Sequence, residues 1–112
     1  MCTQDQARQI AREVAAEAKR VLGDRLDAVV LYGSYARGDY DDESDLDIMV
    51  IVRCKTAELL QYRYLLSGFA SDLSLEHGLT VSVAMADTES FARYGNYLPF
   101  YNNIRQEGIK IA

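Results

Sequence analysis

Apolar positions along the chain follow two periods, and the switches between them mark out the elements. From Thr3 to Leu22, the residues Ala7, Ile10, Ala11, Val14, Ala18, Val21 and Leu22 recur at intervals of three and four, one face of an α-helix. Thr3 and Gln6 have the spacing of a capping box at its start, and Gly23 is placed to stop it. Asp27 to Tyr32 contains Ala-Val-Val-Leu, a run too continuous for a strand with one face in water, so this strand is covered on both faces. A polar loop from Ser34 to Ser44 follows, with a short helical turn through Tyr35 to Gly38. Asp45 to Val52 reads as a second strand, apolar beyond its acidic start. Leu59, Tyr62, Leu66, Phe69 and Leu73 predict a helix over 56–76, begun by Thr56 and ended by Gly78. Leu79 to Met85 alternates as a third strand. Two short helices close the pattern, one from Thr88 that includes Phe91 and one from Pro99 to Gly108. Proline suits the first helical position, and Ile109 is placed for a Schellman-type contact. The pattern predicts an α/β (α+β) fold: a small mixed sheet of three or four strands flanked by helices, one domain over 1–112.

Composition narrows what such a fold can do. With 112 residues, 49% of them hydrophobic, the chain can fill one core but not two. The net charge of −5 argues against a nucleic-acid backbone as direct partner, because phosphate neutralisation needs clustered Lys and Arg. A nucleoside triphosphate stays compatible, since a bound cation reverses the local sign. No apolar run approaches the roughly 20 residues of a membrane span, and the polar N-terminus lacks the pattern of a signal peptide. Cys2 and Cys54 have no metal-ligand spacing and read as reduced thiols. A cytoplasmic protein is the expectation.

The chemistry is concentrated between Leu31 and Val52. Gly33-Ser34 ends the first strand, where glycine lets the backbone turn and approach a ligand. Asp45-Leu46-Asp47 opens the second. Residues i and i+2 of a strand project to one side, so Asp45 and Asp47 stand together. Paired carboxylates repel unless a positive charge lies between them. Oxygen ligands of this kind suit Mg²⁺, which takes one or two carboxylates plus substrate phosphates. Gly33 and Ser34 can offer backbone N–H groups and a hydroxyl to those phosphates. The loop reads as a metal–nucleotide site.

Gly33-Ser34, ten residues, then Asp45-x-Asp47 resembles the signature of the nucleotidyltransferase superfamily related to DNA polymerase beta. Gly33-Ser34-Tyr35-Ala36-Arg37-Gly38 is similar to the loop of its minimal (MNT) branch. The motif covers about a fifth of the chain, and the order of helices and strands extends the likeness over most of the rest. The resemblance implies a nucleotidyltransferase fold, with Asp45 and Asp47 as catalytic metal ligands, Mg²⁺ as cofactor and ATP as substrate. It implies transfer of AMP to a hydroxyl. Minimal members often act beside a small helical HEPN toxin and attach AMP to one of its tyrosines, so an antitoxin in a hetero-oligomer is the implied role. The 27 or so residues after the third strand are too few for a separate acceptor domain, which agrees with an acceptor brought by another protein.

One position departs from the family. Its third carboxylate, on a neighbouring strand, helps hold metal and draws the proton from the attacking hydroxyl. The matching place here is Ser82, a poor base and weak ligand. Asp87 and Glu76 flank that strand and reach the site only through an unusual bend. Two readings stay open: an enzyme working with two carboxylates, or a nucleotide-binding antitoxin that acts by contact without turnover.

Other candidates have plainer readings. Arg37 either reaches the triphosphate or pairs with Asp39 or Asp41. A calcium loop over Asp39, Asp41 and Glu43 fails, because its sixth and twelfth places hold Ser44 and Val50 where an EF-hand needs Gly and Glu. His77, the one histidine, reads as a helix-end or surface residue. Among Tyr94, Tyr97, Phe100 and Tyr101, the expectation is core for Phe100, while the tyrosines suit either core or interface.

Overall fold

The computed structural model describes residues 2–112. Helix α1 (Gln4–Leu22) has the expected cap: the Thr3 side chain accepts from Gln6 N–H, and the Gln6 side chain accepts from Thr3 N–H. Its buried face is Ala7, Ile10, Ala11, Val14, Ala15, Ala18 and Leu22, close to the face read from spacing. Strand β1 (Leu26–Tyr32) leads into the one-turn helix α2 (Ser34–Arg37) and, after an acidic loop, strand β2 (Leu46–Val52). A 3₁₀ turn at Thr56–Glu58 precedes α3 (Leu59–His77). Strand β3 (Val81–Asp87), α4 (Thr88–Tyr94), α5 (Pro99–Glu107) and a two-residue strand β4 (Ile109–Lys110) complete the chain.

The sheet is four-stranded and mixed, in the order β3-β2-β1-β4. β2 is antiparallel to β1 and parallel to β3, and α3 is the crossover between the parallel pair. Helices cover both faces. On one, α1 and α3 pack on Val29, Leu31, Ile48, Val50, Val52, Val81 and Met85. On the other, Ile104 of α5 and the half-buried Phe91 and Tyr101 cover Met49, Ile51 and Ala86. Burial on both faces is why β2 is apolar at every position except Asp47. Among the described residues no helix is long and apolar enough to cross a membrane.

Several boundaries and packings differ from the sequence pattern, each for a local reason. The third strand runs over Val81–Asp87, two residues later than expected. Leu79 and Thr80 are spent on the connection, where Ser74 Oγ accepts from Val81 N–H and Thr80 O accepts from Leu46 N–H. Asp87 ends that strand as the cap of α4, accepting from Ser90 N–H. Thr56 does not cap α3; its hydroxyl donates to Asp87 Oδ1. Gly108 forms no Schellman motif: with φ −70° and ψ 149° it is extended, and it turns Ile109 into β4 against β1. Phe100, expected in the core, is 47% exposed.

Candidate active site

Asp47 lies at the N-terminal mouth of β2, on the sheet face shared with Met49 and Ile51, and Asp45 stands just before the strand, near enough to act on the Asp47 charge. Pairing across the sheet fixes their neighbours. Tyr32 on β1 is directly opposite Asp47, and Ser82 on β3 is level with it on the other side. Opposed residues project to one face, so Tyr32, Asp47 and Ser82 form a row across three strands.

The turn after β1 closes on this row. Gly33 has φ +76°, a conformation that L side chains rarely adopt, and a Cβ there would collide with Asp47 Oδ2. Glycine is therefore needed twice, for the turn and for the contact. Ser34 opens α2, whose first N–H groups have no partner inside the helix. Gly33 O accepts from Ala36 and Arg37 N–H, and Gly38 at φ +92° ends the turn by donating to Ser34 O. Tyr35 anchors it: its ring is buried and stacks on Tyr40 at 4.4 Å, and its carbonyl accepts from Gln4 Nε2. The phosphate-binding candidates are thus fixed to both the sheet and α1.

Charge in the site is unbalanced. The Asp47 carboxyl is pushed above the usual carboxylate range, first by burial and then by Asp45, with Arg37 opposing. Arg37 gives limited relief because it is shared, bonding Asp39 Oδ2 at 3.1 Å and Glu107 Oε2 at 3.2 Å. Tyr32 is pushed up to about 12, by burial and then by Asp47, so its phenol stays neutral beside the carboxylate. Two neighbouring carboxylates short of positive charge fit a hard divalent cation, which takes one or two carboxylates and completes its shell from other oxygens. Asp45 and Asp47 are the residues able to hold it; among the described residues no group of three or more His, Cys, Asp or Glu could hold a metal.

Ser82, the position that the family resemblance gives for a third carboxylate, is level with Asp47 on β3 and exposed. Neither acidic substitute reaches the row. Asp87 is at the far end of β3, 3% exposed and opposite Val52, with its carboxylate held by Thr56 and Ser90. Glu76 is on α3 beside His77, whose Nε2 is 3.7 Å from Glu13. In the acidic loop, Asp41 accepts from Glu43 N–H and Ser44 Oγ, which folds the loop itself. Sequence reading missed two neighbours, Tyr32 and Glu107. Tyr32 could have been found by counting back from Gly33 along an antiparallel pair. Glu107 is 70 residues from Arg37, and no local pattern signals that pairing.

The nucleotidyltransferase domain family matches residues 8–111. A candidate protein adenylyltransferase of Methanocaldococcus jannaschii is 39% identical over 74 residues, 66% of this chain and 73% of that protein. A second from the same organism is 31% identical over 84 residues, 75% and 76% of the two chains. Among solved structures, a candidate nucleotidyltransferase of Sulfolobus solfataricus superposes with a TM-score of 0.67 at 23% identity, over 96% of this chain and 80% of that one. A toxin–antitoxin complex crystallised with AMP-PNP gives 0.56 at 19% identity, over 90% and 72%. With the family matched over residues 8–111 and the fold shared, the chain belongs to the nucleotidyltransferase domain family and is a nucleotidyltransferase.

Proposed function

We propose that this single-domain chain is a Mg²⁺-dependent protein adenylyltransferase of the cytoplasm. In this reading it moves AMP from ATP to a tyrosine hydroxyl of a small helical HEPN-type toxin and so acts as its antitoxin, in a hetero-oligomer. The observation that carries the reading is the contact of the Gly33 turn with Asp47, which sets a phosphate-binding turn against a carboxylate pair. The protein acceptor is supported by the description of the Methanocaldococcus relatives, and the toxin by the toxin–antitoxin structures of similar fold, among them MntA–HepT.

The acceptor oxygen forms a bond to the α-phosphorus of ATP as the bond from that phosphorus to the bridging oxygen breaks, and pyrophosphate leaves. A cation held by Asp45 and Asp47 would supply charge stabilisation for the attacking and leaving oxygens. Gly33 and Ser34 orient the phosphates, and Arg37 holds the turn through Asp39 and Glu107. In this reading Ser82, level with Asp47, orients the acceptor hydroxyl but cannot take its proton at neutral pH, so the proton leaves to Asp47 or to water. Such a site works by positioning and electrostatics, which carry most of phosphoryl-type catalysis.

Ser82 also favours a second reading, a nucleotide-binding antitoxin that neutralises its partner by contact alone. The two separate on one experiment. The protein is purified with the partner it brings from its own cells, incubated with ATP and Mg²⁺, and the partner is mapped by mass spectrometry. AMP on a tyrosine of the partner, absent with Asp45→Asn or Asp47→Asn while the complex still forms, supports transfer. An unmodified partner that stays bound and neutralised supports contact alone.

A further inference from the structure

Beside Asp47, Tyr32 of the sheet meets aromatic rings of α4 and α5 to which the proposed phosphate and metal contacts give no role. Tyr32, opposite Asp47, meets Phe100 of α5 edge to face, with ring centroids 5.6 Å apart at 83°. Phe100 contacts Tyr101 at 5.9 Å, and Tyr101 contacts Phe91 of α4 at 5.1 Å. Arg105 lies over Phe91 at 5.1 Å and donates to the Phe91 and Ala92 carbonyls, which ties α4 to α5. The rings are a braced ladder. Tyr32, Tyr101 and Phe91 are half-buried, and Phe100, between Tyr32 and Tyr101, is open to solvent.

We propose that the open face of Phe100, backed by Tyr32, seats the nucleobase of the donor nucleotide, and that the base is held by stacking rather than read at its edge. The proposal deepens the reading of Asp45 and Asp47 as the transfer site and rests on it. Three observations support it. Tyr32 directly precedes Gly33 and Ser34, so the aromatic pair and the phosphate turn share the β1 side of Asp47. Ser82 is on the β3 side, which leaves that flank to the acceptor. Phe100 is one strand spacing and one ring contact from Asp47, a span suited to a nucleoside whose α-phosphate lies at the carboxylates.

The bracing has an energetic consequence. A ring already fixed by its neighbours loses little freedom when a base stacks on it, so more of the stacking free energy appears as affinity. Every base has a π-face, so stacking tolerates sequence, and the larger purine rings gain most. The expected specificity is purine over pyrimidine, with ATP and GTP bound alike.

Calorimetric titration of Mg²⁺ with ATP, GTP, CTP and inorganic tripolyphosphate into the intact protein tests this. Phe100→Ala is expected to weaken ATP about tenfold, an effect of the size seen when a stacking ring is removed. It should leave tripolyphosphate unchanged and level the difference between ATP and CTP. Phe100→Trp should retain ATP. Phe100 is half out of the core, and unchanged tripolyphosphate binding serves as the folding control. Asp47→Asn should weaken ATP and tripolyphosphate together. If it weakens both while Phe100→Ala leaves ATP untouched, the base platform is overturned and the transfer site stands. If Asp47→Asn changes neither, the transfer site falls and the platform with it. ATP and GTP differing tenfold in the wild type would overturn the claim that the edge is not read.

Discussion

Asp47 is held in conflict by its own strand. Burial and the neighbouring Asp45 raise its proton affinity above the ordinary carboxyl value of 3.8, so the folded chain binds that proton more tightly than the unfolded one. The stability this gives is present at low pH and is lost as pH rises from the unfolded value through the raised folded one, leaving ionised Asp47 a net cost at neutral pH. Without metal, Asp47→Asn should therefore melt higher than the wild type at pH 7 and no higher at pH 3. Added Mg²⁺ should raise the wild-type midpoint and not the variant's. A wild type that melts higher than Asp47→Asn in EDTA would contradict the conflict. Gly33→Ala should cost roughly 1–3 kcal/mol from backbone strain alone, with the collision at Asp47 added, and thermal melting reads the loss. Ser82→Asp puts a carboxylate level with Asp47, where a positioned base contributes ~10²–10⁴ in rate. Turnover should rise at least about tenfold on that scale, and an unchanged rate would remove the missing base as the limiting feature.

Elements were legible in the chain where one pattern decided them. The spacing of α1 and its Thr3–Gln6 cap gave both its buried face and its start. The Gly-Ser and Asp-x-Asp spacing brings Gly33 against Asp47 because the first follows β1 and the second opens its neighbour β2, while Ser82 came from the family resemblance and is level with Asp47. The remaining elements depended on distant partners. Alternation alone cannot choose between 79–85 and 81–87; pairing with β2 and the capping by Asp87 choose the latter. β4 is two residues long, too short to show a period, and exists because β1 offers an open edge. Phe100 looked like core since aromatic residues usually are, yet Ile104 fills that place one turn later. The closure by β4 gives a prediction at this scale. Val29 and the last residues exchange Val29 N–H to Ala112 O and Ile111 N–H to Val29 O, so deleting 109–112 removes several backbone bonds. At roughly 0.5–1.5 kcal/mol each, the deletion should cost about 2–4 kcal/mol by chemical denaturation.

For the molecule as a whole, the arrangement divides labour between the two faces of one sheet. The α1–α3 face is packed core, while the α4–α5 face thins towards the mouth of β2 and leaves Asp45, Asp47 and Ser82 accessible. In the proposed reading, an acidic chain would draw a nucleotide there together with a cation, so that metal and ATP would bind in mutual dependence. In the proposed reading this mouth transfers a nucleotidyl group. Its most direct measurement is incubation of the purified complex with Mg²⁺ and ATP labelled at the α-phosphate, beside the same complex carrying Asp47→Asn. Label is expected on the partner protein, reduced roughly a hundredfold or more by the substitution, the scale of losing a group that stabilises transition-state charge. Equal labelling in both would place the chemistry elsewhere, and none in either, with ATP bound and the partner held, would make this a binding protein.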